Sequence, residues 1–557
     1  MADTTAIDLR ADGANKDERL AVAFPTLNAS QLQALEAFGR RVHVPKDDHV
    51  WTVGDASVCM FVVLEGEMRI EDGRTGNYVA THHVGSFSGD IDVLSGRPTV
   101  VTAIAVTDME ILKVPGDCVR SIVGEIPAIG DIILRAFLMR RSLLQEMSSV
   151  GPLVIGSRYS PDTLRIREFL ARNRFPFHWD DLEGDEATQR SLAEFDVTED
   201  ETPIVVVPSG EVLHVPSNAE LAKALGINAA LTEKVYDLVV IGAGPAGLAA
   251  AVYGASEGLS TLVLDSEGPG GQAGTSSRIE NYMGFPQGIS GRDLADRAVV
   301  QAERFGAQML VPRTVCGITC SHHGSHIISL SEEESIEAKC VVLATGAAYR
   351  NLDADPEAKY VGRGVYYAAT NIERMLCNDD AVAVVGAGNS AGQAAVFMAE
   401  NSEHVYLVVR GDDLRKSMSS YLALRIERSD RITVLLDSEI TKLIGEDCLE
   451  SAELTNCKTG EKKVKPIRGI FVMIGAVPRT TWLPDSICRD PKGFVLTGLS
   501  LLKDKKWPLE RPPFFLETSC PGVFAVGDVR CESVKRVASA VGEGSMSVAL
   551  VHQYLAL

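Results

Sequence analysis

Apolar and polar positions alternate in short runs through the first quarter of the chain. Val50–Val53, Cys59–Leu64 and Glu67–Glu71 read as strands separated by glycine turns. A longer run with helical spacing, Ile129–Leu144, follows, so residues 22–148 are expected to form a β-rich unit capped by helices. Charge is spread through the first twenty residues with no apolar stretch among them, and residues 1–21 are read as a disordered leader, not a secretory signal. Between 151 and 228 the pattern becomes β-α-β-β-α: Pro152–Gly156, a helix over Thr163–Arg172, Pro203–Val207, a turn at Pro208-Ser209-Gly210, Glu211–His214 and a helix over Ala219–Leu225. From Val235 onward strands alternate with helices, the order of a doubly wound α/β fold.

Two glycine-rich turns stand inside that last pattern. The buried-strand run from Val235 passes straight into Gly242-Ala-Gly244-Pro245-Ala246-Gly247 and an alanine-rich helix. In such a turn the first glycine permits the tight bend, the second lets backbone approach a pyrophosphate at the helix N-terminus, and the third allows helix and strand to pack closely. A second strand, Ser260–Leu264, ends in Asp265, about 20 residues on, where an acid would bind ribose hydroxyls. The arrangement recurs at Ala381–Val385, followed by Gly386-Ala-Gly388-Asn389-Ser390-Ala391. Here the next strand, Val405–Val409, ends in Arg410, backed by Arg415 and Lys416; these can receive the 2′-phosphate of NADP where an acid would favour NAD. Val341–Gly346 reads as a strand ending in a tight turn under the first nucleotide, and Gly527-Asp528 places an acid before the last helix, read over Gly544–Leu555. Two dinucleotide sites in one chain suggest a flavin and a nicotinamide held face to face.

Composition narrows the partners. The 557 residues allow several domains, and a formal charge of −21 disfavours nucleic acid and anionic membrane surfaces. The longest apolar run, Leu238–Ala255, is broken by Gly242, Gly244, Pro245 and Gly247, so it is read as strand, turn and helix and not as a membrane span. The 11 cysteines are odd in number, scattered and never spaced CxxC, which points to unpaired thiols in a reducing cytoplasm and to no metal site.

Residues 235–557 resemble the low-molecular-weight thioredoxin reductases, members of the class II pyridine nucleotide-disulfide oxidoreductases. The resemblance rests on the first fingerprint, Gly270-Gly271-Gln272, Glu280-Asn281, Ala344-Thr345-Gly346, the nested second fingerprint, and Gly527-Asp528 followed by Lys535-Arg536-Val537. It implies an FAD domain assembled from residues 233–352 and 481–557, an inserted NADPH domain over 353–480, a homodimer, and hydride transfer from NADPH to FAD, with NADPH favoured over NADH. At the positions of that family's redox-active CxxC the chain reads Ala368 and Asn371, within Gly364-Val365-Tyr366-Tyr367-Ala368-Ala369-Thr370-Asn371. No thiolate can form at either, so dithiol exchange by the usual route is chemically absent. Tyr366 and Tyr367 are the candidates for facing the flavin instead.

Residues 151–228 resemble a glutaredoxin or thioredoxin fold, with Thr202-Pro203 where such folds hold a cis-proline. The active-site turn reads Ser160-Pro161-Asp162-Thr163, so hydroxyls stand in place of both cysteines, and Ser160 suits a helix cap. Residues 22–148 resemble a cyclic nucleotide-binding domain through Gly85–Thr102. Gly89 and Asp90 match the Gly-Glu that holds the ribose; Thr99 stands where the phosphate-binding arginine should be, with Arg97 on the other side of Pro98. No helix-turn-helix follows. The expected chain is therefore a multidomain α/β protein: two nested Rossmann-like FAD and NAD(P) domains preceded by a β-roll cyclic nucleotide-binding-like domain and a thioredoxin-like α/β domain. Its expected activity is NADPH-dependent flavin reduction with direct transfer to an unidentified acceptor. The alternatives are a sensor that binds FAD and NADPH without efficient turnover, and a thioredoxin reductase using distant cysteines such as Cys377 or Cys531.

Overall fold

The computed structural model describes residues 13–557 apart from 56–58, 148–149, 184–191, 193–194, 196, 228–230, 232, 277, 322–323, 331–333, 353, 378, 447 and 504–505. In the N-terminal unit, strands Arg40–Val44, Met109–Pro115 and Cys59–Glu65 form one sheet. His49–Trp51, Val101–Ala105, Met68–Asp72 and Tyr78–His82 form a second. Their inner faces meet in an apolar core where Trp51 stacks on Phe61 at 5.2 Å. The helix Pro127–Glu146 covers this roll, burying Ile129, Ile133, Ala136 and Phe137 at helical spacing. The leader expectation is corrected in part. Residues 1–12 lie outside the described residues, but Gly13–Ala23 is a helix, held by an Arg19–Glu146 ion pair at 2.5 Å and by Ala23, which is fully buried. Its anchor is 127 residues away in sequence, so local charge pattern concealed it.

The middle unit is a four-stranded sheet ordered Val212–His214, Ile204–Val206, Leu153–Ile155, His178–Asp180. The last two strands run parallel and the others antiparallel. His178–Asp180 was absent from the sequence reading because its three residues are all half-buried and show no alternation. Ser160 caps the helix Pro161–Arg172, its hydroxyl accepting from the Thr163 N–H at 3.4 Å, and the Thr202–Pro203 peptide is cis.

The remainder contains two parallel-stranded sheets, besides a small antiparallel sheet of Ser438–Ile444, Ser451–Asn456 and Lys462–Pro466. In the larger, Gln308–Leu310, Thr261–Leu264, Val235–Ile241, Ser335–Leu343 and Val523–Ala525 run parallel, and the pair Gly317–Thr319 and His326–Ser329 extends one edge. In the smaller, Val365–Tyr366, Gly469–Val472, Ala381–Val385, His404–Val408 and Ile432–Leu435 are all parallel. Continuous apolar runs such as Val382–Val385 follow from burial on both faces. The chain leaves the first sheet and returns through an antiparallel ribbon, Ala347–Tyr349 against Ala476–Pro478. The last helix spans Val537–Leu555 and begins earlier than its glycines suggested. Gly544 is interior to it, at the point where a Cβ would collide with the Ala246 carbonyl oxygen. Among the described residues no helix is long and apolar enough to cross a membrane.

Buried arginines join the units. Arg97 donates to the Asn173 carbonyl at 2.9 Å, Arg141 to the Arg174 carbonyl at 3.2 Å, and Arg174 pairs with Glu303 of the helix Gly291–Arg304 at 3.4 Å. The middle unit thus bridges the N-terminal roll to the larger nucleotide sheet.

Candidate functional site

The first fingerprint is a turn built to close tolerance. Gly242 lies at φ +108°, and a Cβ there would collide with the Ala344 carbonyl oxygen; a Cβ at Gly247 would collide with the carbonyl of Gly242 itself. Gly244 is different in kind. Its backbone is extended (φ −73°, ψ −179°), a conformation any residue adopts, and a Cβ would meet only the Gly271 Cα at 3.9 Å. Nothing in the fold asks for glycine there; a phosphate seated on the N-terminus of the helix Pro245–Ser256 does. Around this opening the structure brings together Pro245, Ala246, Gly271, Ala344 and Gly527. A Cβ on Gly271 would sit 3.0 Å from the Gly244 Cα, and one on Gly527 would sit 2.9 Å from the Ala246 Cβ. Thr345 donates to the Arg479 carbonyl at 3.1 Å, beside Gly346 at φ +65°. Gln272 lies in the short helix Gly271–Gly274, whereas Asn281 is exposed next to Glu280, which pairs with Arg425 at 2.9 Å.

Asp265 turns inward. One carboxylate oxygen accepts from the Ala243 N–H at 2.8 Å, and the other from the Glu267 and Gly268 N–H groups at 2.9 Å each. It therefore braces the phosphate turn besides standing at the expected ribose position. Burial raises the Asp528 carboxyl, while Lys535 donates to the Asp528 carbonyl at 2.5 Å. Arg536 is the N-cap residue before Val537 opens the final helix. Glu543, not singled out in the sequence, accepts from the Gly527 N–H at 2.7 Å and pairs with Arg530 at 2.5 Å, holding the turn against that helix.

In the second fingerprint Gly386, at φ +145°, lies where a Cβ would be 2.5 Å from the Met473 carbonyl oxygen. Gly388 is extended (φ −86°, ψ 180°) and a Cβ there meets nothing within 4 Å, so no packing in the fold requires glycine at this helix N-terminus. Asn389 accepts from the Ser419 N–H at 2.7 Å, and Ala391 is fully buried. The Tyr349 phenol is raised by burial, and Ser390 and Asp528, one from each nucleotide turn, both act on it. Tyr349 thus links the two nucleotide turns, a role that sequence spacing could not show. The basic trio divides: Arg415 pairs with Glu427 at 2.7 Å and Lys416 with Asp412 at 2.6 Å, while Arg410 is exposed with no ion pair among the described residues.

Ala368 and Ala369 are buried, and Ala369 bridges in parallel to Ser276, so this segment abuts the loop that follows Gly271. Tyr366 packs on Phe471 at 5.5 Å within the core of the inserted unit, and the Tyr367 hydroxyl donates to Glu357. Tyr366 is thus a core residue of the inserted unit, while Tyr367 is half-buried with its hydroxyl engaged. Glu373, in the helix that begins at Asn371, accepts from the Thr370 N–H at 2.7 Å and faces Glu168 of the middle unit; burial and this second carboxylate push Glu168 up to about 7. The Cys377 thiol is buried and pushed up to about 12, and Cys531 is raised by burial and by Asp490. The sequence reading named no metal site, yet Cys320, His326 and Cys520 place one ligand atom each within 4.8 Å of one another. The 200 residues between the two cysteines hid that pairing.

The N-terminal roll rearranges its expected contacts. Asp90 pairs with Arg141 at 2.6 Å, Thr99 donates to the Thr52 carbonyl at 3.1 Å, and Arg97 points away to Asn173. Gly89, by its carbonyl, accepts from Arg140 at 2.7 Å.

Comparison with known proteins agrees with these units. Residues 236–544 match the pyridine nucleotide-disulphide oxidoreductase family, and residues 41–125 match the cyclic nucleotide-binding domain. The chain is 31% identical over 329 residues to a thioredoxin reductase of Peptoclostridium acidaminophilum, covering 58% of this chain and 98% of that protein. It is 33% identical over 323 residues to a 34.2 kDa protein in the rubredoxin operon of Clostridium pasteurianum, covering 58% and 98%. The solved structure of T. acidophilum thioredoxin reductase superposes with a TM-score of 0.52 at 27% identity, covering 58% of this chain and all of that one.

Proposed function

The chain belongs to the pyridine nucleotide-disulphide oxidoreductase family, and on that footing we propose that it reduces an acceptor directly from its flavin, with no redox disulfide between. It is a thioredoxin reductase-like, FAD- and NADPH-using oxidoreductase joined to a cyclic nucleotide-binding domain. The observation that carries the direct route is the pair Ala368 and Asn371 at the CxxC positions, in a segment lodged against Ser276 beside the first nucleotide turn. The cofactors fit: Gly244 and Gly388 leave open backbone at two helix N-termini where an added side chain meets no protein atom closer than 3.9 Å. When bound, FAD supplies the hydride chemistry, accepting from reduced nicotinamide. The first site would be formed by Gly242, Gly244, Pro245, Ala246 and Gly247 at the phosphates. Asp265 would stand at the ribose; Gly271, Gln272, Asn281 and Ala344–Gly346 would line the wall, and Gly527, Asp528 and Lys535–Val537 the closing turn. Gly386–Ala391 would hold the nicotinamide nucleotide, with Arg410 receiving its 2′-phosphate.

Distant cysteines fit less well, because neither Cys377 nor Cys531 can hold a thiolate near neutrality with thiols raised as described. The middle unit, thioredoxin-like in strand order, serves as a docking spacer: Ser160 is occupied as a helix cap. The working form is taken to be a cytoplasmic homodimer. Anaerobic mixing with NADPH should bleach the flavin, and ferricyanide should then turn over repeatedly, before and after alkylation of all cysteines. Loss of turnover on alkylation, or NADPH oxidation that depends on thioredoxin, overturns the direct route; a bound flavin that NADPH does not bleach favours the sensor.

A further inference from the structure

The N-terminal roll encloses a cavity of about 90 Å³ between its strands and the helix Pro127–Glu146. Its wall is chiefly apolar, with Phe24, Trp51, Phe61, Val79, Leu143 and Met147 contributing. Two buried polar side chains line it without full satisfaction. Arg140, 6% exposed, gives its Nε to the Ala23 carbonyl and its Nη1 to the Gly89 carbonyl, both at 2.7 Å. Its Nη2 has no partner among the described residues. His82, 3% exposed, leaves Nδ1 without a partner among them, and burial lowers its pKa well below the ordinary value, so the ring is neutral.

The charges around the cavity leave room for an anion. Arg97, Arg140, Arg141 and Arg174 are buried together against Asp90, Asp92 and Glu303, and Arg292 and Asp296 add one charge of each sign. Of the residues that line the cavity, Arg140 is the one arginine, and the acids are Asp90, Asp92 and the exposed Asp55. Arg141 already takes both Asp90 and Asp92, so Arg140 is the cation left without a contacting acid, its charge resting instead on the faces of Phe24 and Phe87 at 5.3 and 4.8 Å. A buried guanidinium donor left unmade is costly, and a carboxylate meets it with a charge-assisted bond.

We propose that this cavity binds a compact apolar monoanion, an aromatic or short branched carboxylate whose charged end meets Arg140 Nη2 and His82 Nδ1 while its body fills the apolar wall. Cyclic nucleotides are disfavoured on three counts. The ribose-binding acid is consumed by Arg141, the phosphate arginine is Thr99, and Arg97 is committed to the middle unit. The proposal stands independently of the electron acceptor.

Calorimetric titration of the full-length flavoprotein with benzoate should show saturable binding, at least tenfold tighter than its neutral isostere benzamide and tighter than cAMP or cGMP. Arg140→Met should weaken benzoate at least tenfold while leaving benzamide unchanged. If that variant does not fold, the benzoate-to-benzamide ratio in the unaltered protein decides alone. Absence of benzoate, phenylacetate and isovalerate binding at millimolar concentration overturns the proposal. So does equal affinity for benzamide, tighter binding of cAMP or cGMP, or a folded Arg140→Met protein that binds benzoate as before.

Discussion

At Gly242 and at Gly386 the chain makes the same turn. In each, the first glycine's missing Cβ makes way for a carbonyl from the neighbouring parallel strand, Ala344 in one and Met473 in the other, and the second glycine faces open space. The turns part at their third position. Gly247 sits directly on the Gly242 carbonyl, whereas Ala391 keeps its Cβ, buried, 3.0 Å from where a Gly386 Cβ would stand. They part again one strand later, where Asp265 is locked by three backbone N–H groups and Arg410 is exposed. The first turn is rigid to its last atom, the second only as far as its backbone, which leaves its selectivity to a surface side chain.

That contrast breaks first at the third position. Gly247→Ala forces a Cβ into a backbone oxygen that cannot rotate away, an overpacking error expected to cost about 3 kcal/mol or more. The purified protein should lose its bound flavin and melt several degrees lower. The reciprocal change, Ala391→Gly, costs the entropy of glycine in a helix, about 0.5–1 kcal/mol, plus about 0.8 kcal/mol for the buried methyl, and should keep both nucleotides bound. Equal thermal shifts from the two would mean that the turns are built to the same tolerance.

At the second position the free fold is indifferent and the ligand is not. Gly388→Ala adds a Cβ that meets no protein atom within 4 Å and adopts an ordinary backbone, so the melting temperature without nucleotide should change little beyond the N-cap preference. Affinity for NADPH should fall about tenfold to a hundredfold, with flavin content unchanged. A variant that melts earlier but binds NADPH normally would show that Gly388 serves packing and not phosphate.

These glycines were readable from sequence because a phosphate-binding turn demands absent side chains at fixed spacing, and spacing survives in one dimension. Strand existence was readable for the same reason: Leu238–Ile241 and Val382–Val385 are buried on both faces and apolar throughout. What stayed hidden was direction and distance. Nothing local to Arg97 says that its guanidinium turns to Asn173, 76 residues on, and nothing local to Cys320 announces Cys520. Nothing local to Tyr349 announces that Ser390 and Asp528, distant in sequence, both act on its phenol.

Arg410 should carry most of the second turn's choice between nucleotides. Arg410→Gln is expected to lower the preference for NADPH over NADH about tenfold in kcat/KM, the loss of one charge-assisted contact. Arg415→Gln should lower it less, since that guanidinium is already shared with Glu427 at 2.7 Å. A larger effect at Arg415 would mean that the Glu427 pair opens when nucleotide binds, making the second turn an induced site and not merely a looser one.

The smallest expected effect tests whether the two turns act separately. Tyr349 stands on the ribbon that joins the units, and Ser390, in the first turn of the helix Asn389–Met398, acts on its phenol. A hydrogen bond between the two hydroxyls would tie the second fingerprint to the strand that continues the Ala344–Gly346 turn. Removing it with Tyr349→Phe keeps the ring's packing and deletes one partly buried hydrogen bond, about 0.5–1.5 kcal/mol. Equilibrium titration should show NADPH affinity reduced roughly twofold to tenfold while flavin content holds. If Ser390→Ala has the same effect and the double variant adds nothing further, the bond is the unit that matters. Additive losses would mean that Tyr349 and Ser390 touch the nucleotide independently, and the rigid first turn would then have no hold on the looser second.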